Sequence, residues 1–219
     1  MKEYLRINKL AYDELAREYA YRRDNVGKYS EKTDFLGNSL LKYTKKKHPT
    51  VLEIGSGSGQ ILKFFEDNGC RTVGVDLSTS MCDLSKAESP RSIIINSDIN
   101  EVNFIGNQFD LIYMGALIHL FPLDDEIIIM KKVWNWLAED GYIFVNTTCH
   151  DYSCEGYYEK QDYLNSKKRF RRYWSENDFE AFITECGYSI IEKLYTDEKD
   201  KEKKWVAFIA CRGKSDEKN

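Results

Sequence analysis

Proline, histidine and long apolar runs are all scarce in this chain, and each scarcity closes off a class of protein. Three prolines in 219 residues, with no low-complexity stretch and no internal repeat, leave no linker on which to divide it. No apolar run approaches the roughly eighteen residues of a membrane helix. Met1-Lys2-Glu3-Tyr4 lacks the pattern of a secretory leader. The six cysteines, at 70, 82, 149, 154, 186 and 211, show no C-x-x-C spacing, which argues for reduced thiols and against a disulfide frame or a zinc site. Cations do not prevail either. The 32 Lys and Arg stand against 36 Asp and Glu, a net charge of −4, which argues against wholesale binding of nucleic acid or an anionic membrane. What remains is the expectation of one cytoplasmic globular domain over 1–219, with 42% hydrophobic residues to build a core.

What the chain does have is Val51-Leu52-Glu53-Ile54 running into Gly55-Ser56-Gly57-Ser58-Gly59, with a helical pattern from Gln60 to Asn68 directly behind it. A strand, a glycine turn and a helix N-terminus place unpaired N–H groups where a ligand approaches the backbone. The run is not G-x-G-x-x-G, and no Gly-Lys-Ser/Thr follows, so neither the dinucleotide fingerprint nor a P-loop fits. Glu53 inside the strand would also sit badly beside a pyrophosphate. The turn favours a ligand carrying both positive and negative groups.

Two helices precede this turn: residues 3–24, and a second from Ser30 to about Lys47. After it, strands at 71–76, 92–96, 108–114 and 142–148 alternate with helices over 78–87 and from Pro122 to Ala138. Residues 149–174 read as irregular, aromatic and charged. Ser175 then caps a helix that Gly187 ends, and 188–196 with 204–211 form a terminal hairpin. The alternation predicts an α/β fold: a doubly wound, mostly parallel sheet of seven strands whose last strand is antiparallel. An N-terminal helical cap (1–48), a core (49–148), a cover segment (149–174) and a C-terminal helix and hairpin (175–212) make up the single domain.

Glu53-x-Gly55-x-Gly57-x-Gly59, with Asp76 closing the next strand, resembles the class I, seven-stranded S-adenosylmethionine-dependent methyltransferases of small-molecule type. The resemblance covers residues 51–120 and implies S-adenosyl-L-methionine as cofactor and S-adenosyl-L-homocysteine as product. It sets Gly55, Ser56, Gly57 and Gly59 against the methionine part, with Glu53 near its amino group. Asp76 would hold the ribose hydroxyls, with Leu77 and Met81 flanking the adenine. Ser97, Asp98 and Ile99 would meet the adenine edge, while Met114 and Gly115 line the methionine and Tyr19 covers the site. Asp98 reads alternatively as an Asx-turn residue. The Asn/Asp-Pro-Pro-Tyr/Phe tetrapeptide of the base-amine methyltransferases is missing after strand four, which counts against nucleobase amines as acceptors.

With so few histidines, His119 after strand four and His150 after strand five are the candidate bases, and no ligand set for a metal stands out. Substrate contacts are expected from Tyr12 and Arg22 in the cap and from Tyr157, Tyr163, Arg169 and Tyr173 in the cover. The cover reads equally as a lid of amphipathic rings or as a loop packed on the sheet edge. The expected partner is a small-molecule or short-peptide acceptor of the methyl group at N or O, bound by a monomer or homodimer. An RNA or protein methyltransferase is the runner-up, suggested by the five cations of Lys167–Arg172; a non-catalytic cofactor-binding subunit is the rival class.

Overall fold

The computed structural model of the protein describes residues 1–25, 28–160, 167–198 and 203–213, with side chains described at 1–21, 33–159, 167–196 and 204–213. Five strands run parallel: β1 (Thr50–Ile54), β2 (Arg71–Asp76), β3 (Ile93–Asn96), β4 (Phe109–Met114) and β5 (Leu137–Cys149). All five residues of β1 and all six of β4 are buried, because helices cover both faces of a central parallel strand. Alternation along the strands sorts the core into two layers. Leu52, Ile54, Ile112 and Ile143 join one cluster, and Val51, Leu111, Tyr113 and Phe144 join the other.

The terminal hairpin, β8 (Tyr188–Glu198) and β9 (Lys203–Arg212), completes a seven-stranded sheet in the order β3-β2-β1-β4-β5-β9-β8. Only β9 runs against the rest, as expected of the last strand, but it lies between β5 and β8 rather than at the edge. Helices α3 (Gln60–Asp67), α4 (Thr79–Glu88), α5 (Leu123–Trp136) and α6 (Glu176–Glu185) fill the crossovers. Ser78 caps α4 by accepting from the Met81 amide at 3.1 Å, and Ser175 caps α6 by accepting from that of Asp178 at 3.2 Å.

Three expectations are corrected. The second helix, α2 (Lys28–Leu41), stops six residues short of Lys47, because the Tyr43 and Thr44 amides bond back to Leu40 and Leu41 and the Thr44 hydroxyl donates to Leu41 as well. The helix expected to reach Ala138 ends at Trp136, and β5 starts at Leu137. Its last carbonyls are claimed from afar: Arg212 donates to Trp134 at 2.6 Å, and the amides of Asn107 and Gln108 donate to Asn135 and Trp136. The cover segment is not irregular. It holds an antiparallel ribbon, β6 (Cys154–Lys160) and β7 (Lys167–Tyr173), whose register pairs Tyr158 with Arg169 and Gly156 with Arg171.

This ribbon and α1 (Glu3–Asn25) form a lid over the carboxyl ends of the parallel strands. Asn8 stitches the two together: its Oδ1 accepts from the Phe170 amide at 2.8 Å, and its Nδ2 donates to the carbonyls of Phe170 and Leu120 at 3.3 and 3.2 Å. At roughly 1 kcal/mol net per bond this one buried amide contributes a sizeable part of the lid's stability. The ribbon is moored to α5 by Arg172, which donates to Glu155 at 2.8 Å and lies 3.9 Å from the fully buried Glu126. Burial pushes the Glu126 carboxyl up to about 9, an effect that Arg172 only partly opposes. A folded-state pKa above the unfolded one means stability present at low pH and lost as pH rises from about 4.5 through 9. Replacing Glu126 with Gln should therefore leave stability near pH 5 little changed and raise the thermal midpoint above the wild type at pH 9. Equal pH dependence of the two proteins in thermal melts would contradict the burial of a neutral Glu126.

Candidate cofactor and active site

A cavity of about 200 Å³ opens at the carboxyl ends of β1, β2, β3 and β4 and is roofed by α1. This is where open α/β sheets bind ligands, since the strand order reverses there between β1 and β4. Ile54, Gly55 and Gly57 enter from β1 and its turn, Asp76, Leu77, Ser78 and Met81 from β2 and α4. Ser97, Asp98 and Ile99 follow β3, and Gly115, Ala116 and Leu117 follow β4.

The glycines of the turn do different work. A Cβ on Gly57, whose φ is +51°, meets nothing nearer than the Gly55 carbonyl oxygen at 3.9 Å, so this residue leaves open space at the cavity wall. A Cβ on Gly59 would stand 2.8 Å from Cα of Ser85; Gly59 is there to let α3 pack on α4, and it does not line the cavity.

Asp76 organises the wall. Its Oδ2 accepts from the Gly57 amide at 2.9 Å and its Oδ1 from the Ser78 amide at 2.8 Å, and each oxygen keeps a second lone pair. Burial raises its pKa, opposed by those two amides. Behind the turn lies Glu53, 5% exposed, with Oε2 lacking a hydrogen-bond partner; burial first, and then the charge of Asp76, drives its pKa well up. Asp98 lines the cavity and also makes the Asx turn, its Oδ1 accepting from the Asn100 amide at 2.9 Å. Among the described residues Lys9 is the sole cation lining the cavity, and it is tied to Asp13 at 2.6 Å. With Asp76 and Asp98 in the wall the field favours a ligand that carries positive charge and hydroxyl donors.

Of the residues expected in the site, Tyr12, Tyr19, Gly55, Gly57, Asp76, Leu77, Met81, Ser97, Asp98, Ile99 and Gly115 meet in the cavity wall. Glu53 and Ser56 are buried behind the turn, and Met114, 0% exposed, belongs to the core. Neither candidate base lines the cavity. His119 is buried with Nδ1 3.1 Å from the Thr147 hydroxyl, and His150 has Nε2 3.0 Å from that of Thr148 and stacks on Tyr173 at 4.1 Å. Arg169 and Tyr157 lie in the ribbon outside the wall. The Arg22 side chain and Tyr163 lie outside the described residues.

Several lining residues escaped the sequence. Asn8 sits on the buried stripe of α1 with Leu5 and Tyr12, and a polar residue on an apolar stripe was a usable signal. Ala116 carried none: it holds a φ of +54°, rare without glycine, and its amide donates to Asn146 Oδ1 at 2.5 Å. Asp13, too, is visible only in the fold. It accepts from the Ser78 hydroxyl at 2.6 Å and the Ser80 amide at 3.1 Å, latching α1 onto the N-terminus of α4. Burial works against its charge, but the hydrogen bonds from Lys9, Ser78 and Ser80 hold its pKa below the usual carboxylate range.

Residues 52–145 match the model of a methyltransferase domain family. The fold around them is one shared with solved S-adenosylmethionine-dependent methyltransferases. The chain is 25% identical over 183 residues to phosphoethanolamine N-methyltransferase of Plasmodium falciparum, covering 75% of this chain and 66% of that protein. It is 29% identical over 113 residues to malonyl-acyl-carrier protein O-methyltransferase of Enterobacter lignolyticus, covering 51% and 44%. The matches thus span less than two thirds of either relative. Its fold matches that of 1,6-didemethyltoxoflavin-N1-methyltransferase of Burkholderia thailandensis, crystallised with bound 1,6-didemethyltoxoflavin and S-adenosylhomocysteine, at a TM-score of 0.68, 14% identity and coverage of 91% and 87%. The residues present fit the family's cofactor: Gly57 leaves a cradle, and the carboxylates of Asp76 and Asp98 each retain acceptor capacity at the wall.

If Asp13 latches the roof, Asp13→Ala should weaken binding of S-adenosylhomocysteine about tenfold, the effect of losing one charge-assisted hydrogen bond. Amide exchange across α1 should accelerate at the same time. Unchanged exchange in α1 would contradict the latch.

Proposed function

We propose that this protein transfers the methyl group of S-adenosylmethionine to a nitrogen or oxygen of a small molecule or short peptide. The observation that carries the reading is the pairing of Gly57, open to the cavity, with Asp76 bonded to its amide. In this reading the free lone pairs of Asp76 take the ribose hydroxyls, and Leu77 and Met81 flank the adenine. Asp98, Ser97 and the Ile99 amide meet the adenine edge. Gly55, Gly57 and Gly115 border the methionine, and Glu53 and Ser56 reach its amino group through water.

When bound, the cofactor's sulfonium supplies an electrophilic methyl group open to in-line displacement. The chain's own task is alignment and exclusion of water, for which the roof of α1 and the ribbon is suited. His119 and His150 stand near the carboxyl end of β5 as proton acceptors that a movement of substrate or lid would have to bring into reach.

The two curated relatives are named for an N- and an O-methylation, which suits either acceptor atom. The RNA reading loses its support from Lys167–Arg172. Arg169 and Arg171 are buried, Lys167 pairs with Glu14 and Arg172 with Glu155, so the run offers no broad basic face.

Calorimetric titration tests the reading. The wild type should bind S-adenosylmethionine and S-adenosylhomocysteine saturably, and Asp76→Ala should weaken both by about tenfold or more, as two lost hydrogen bonds to a carboxylate imply. Equal affinity in the variant would remove the ribose assignment, and absence of binding at millimolar ligand would remove the function.

A further inference from the structure

The cations of β7 divide by parity. Lys168, Phe170 and Arg172 share one face of the strand, where Lys168 lies over the Tyr157 ring at 5.6 Å and Phe170 packs on Tyr4 at 5.4 Å. The other face carries Arg169 and Arg171, which are 2% and 5% exposed. Arginines at a surface ribbon ordinarily extend their heads to water, yet these two are turned inward about 6.7 Å apart along the strand.

Their surroundings adjoin the helix that roofs the cavity. The Arg169 guanidinium lies 5.6 Å from the ring of Tyr12, which itself lines the cavity wall. One turn earlier in α1, Asn8 grips the Phe170 backbone and also lines the wall, so β7 lies against the helix that roofs the cavity. Tyr158 is paired with Arg169 and therefore shares its face, as does Tyr173 two places beyond Arg171. Opposite Arg171 the partner is Gly156, which brings no side chain. Tyr173 stacks on Tyr158 at 4.5 Å and on His150 at 4.1 Å, which carries the aromatic side of this face to the end of β5. Two guanidinium forks with tyrosine hydroxyls beside them match the oxygens of a carboxylate or phosphate.

We propose that this inner face of the ribbon is the acceptor subsite, and that Arg169 and Arg171 hold an anionic group of the acceptor, a carboxylate or a phosphate monoester. The proposal rests on the methyltransferase reading and names its substrate class.

Titrations of inorganic phosphate and of acetate into protein saturated with S-adenosylhomocysteine, with glycerol as the neutral control, test it. One or both anions should bind saturably in the millimolar range and glycerol should not; preference for phosphate or for acetate tells the phosphomonoester from the carboxylate. Arg169→Gln or Arg171→Gln should weaken the anion about tenfold, with Arg→Lys recovering part, while affinity for S-adenosylhomocysteine stays as in the wild type. Should the variants not fold, the side-chain Nε–H resonances of labelled arginines in the wild-type complex serve instead, and two of them should shift with phosphate or acetate. No saturable anion binding, or anion binding indifferent to both arginines, would overturn the subsite. Loss of S-adenosylhomocysteine binding by the wild type would instead overturn the cofactor reading on which it stands.

Discussion

The carboxylate of Asp76 is the joint on which the site depends. One oxygen fixes the Gly57 amide and so the curve of the glycine turn; the other fixes the Ser78 amide and so the start of α4. Ser78 then passes the connection to Asp13 of α1, at 2.6 Å. Floor, wall and roof of the cavity are therefore held by one chain of hydrogen bonds that converges on a half-buried acid. Burial makes that acid's charge costly, and the two amides offset part of the cost. A ligand with hydroxyl donors would offset more, which is why the joint serves both structure and binding.

Much of this was legible in the residues. Unbroken apolar strands, alternating with amphipathic helices, could only form a parallel sheet covered on both faces. The serine caps at 78 and 175 and the glycine stop at 187 stood where sequence chemistry put them. The cavity wall was legible because strand ends carry its polar groups, and strands are easy to number. Gly59 is the instructive exception: it belongs to the motif by spacing, yet its role is helix packing against Ser85.

What was not legible depended on distant partners. The end of α5 is set by Arg212, Asn107 and Gln108, and nothing near Trp136 announces them. The ribbon hid because its inner face is arginine and tyrosine rather than aliphatic, so β7 lacks the apolar alternation that marks a half-buried strand. The same substitution of charge for grease that hid the strand makes its inner face chemically distinctive. Asp13 and Asn8 likewise looked like ordinary helix residues until the fold brought α4 and β7 against them.

A crystal structure of the protein grown with S-adenosylhomocysteine tests the central claim most directly. The account predicts the ribose hydroxyls on the Asp76 carboxylate, the adenine between Leu77 and Met81 with its amino group toward Asp98, and the methionine portion along Gly55 and Gly57 beneath α1. Density for the ligand elsewhere, or a ribose without contact to Asp76, would contradict it.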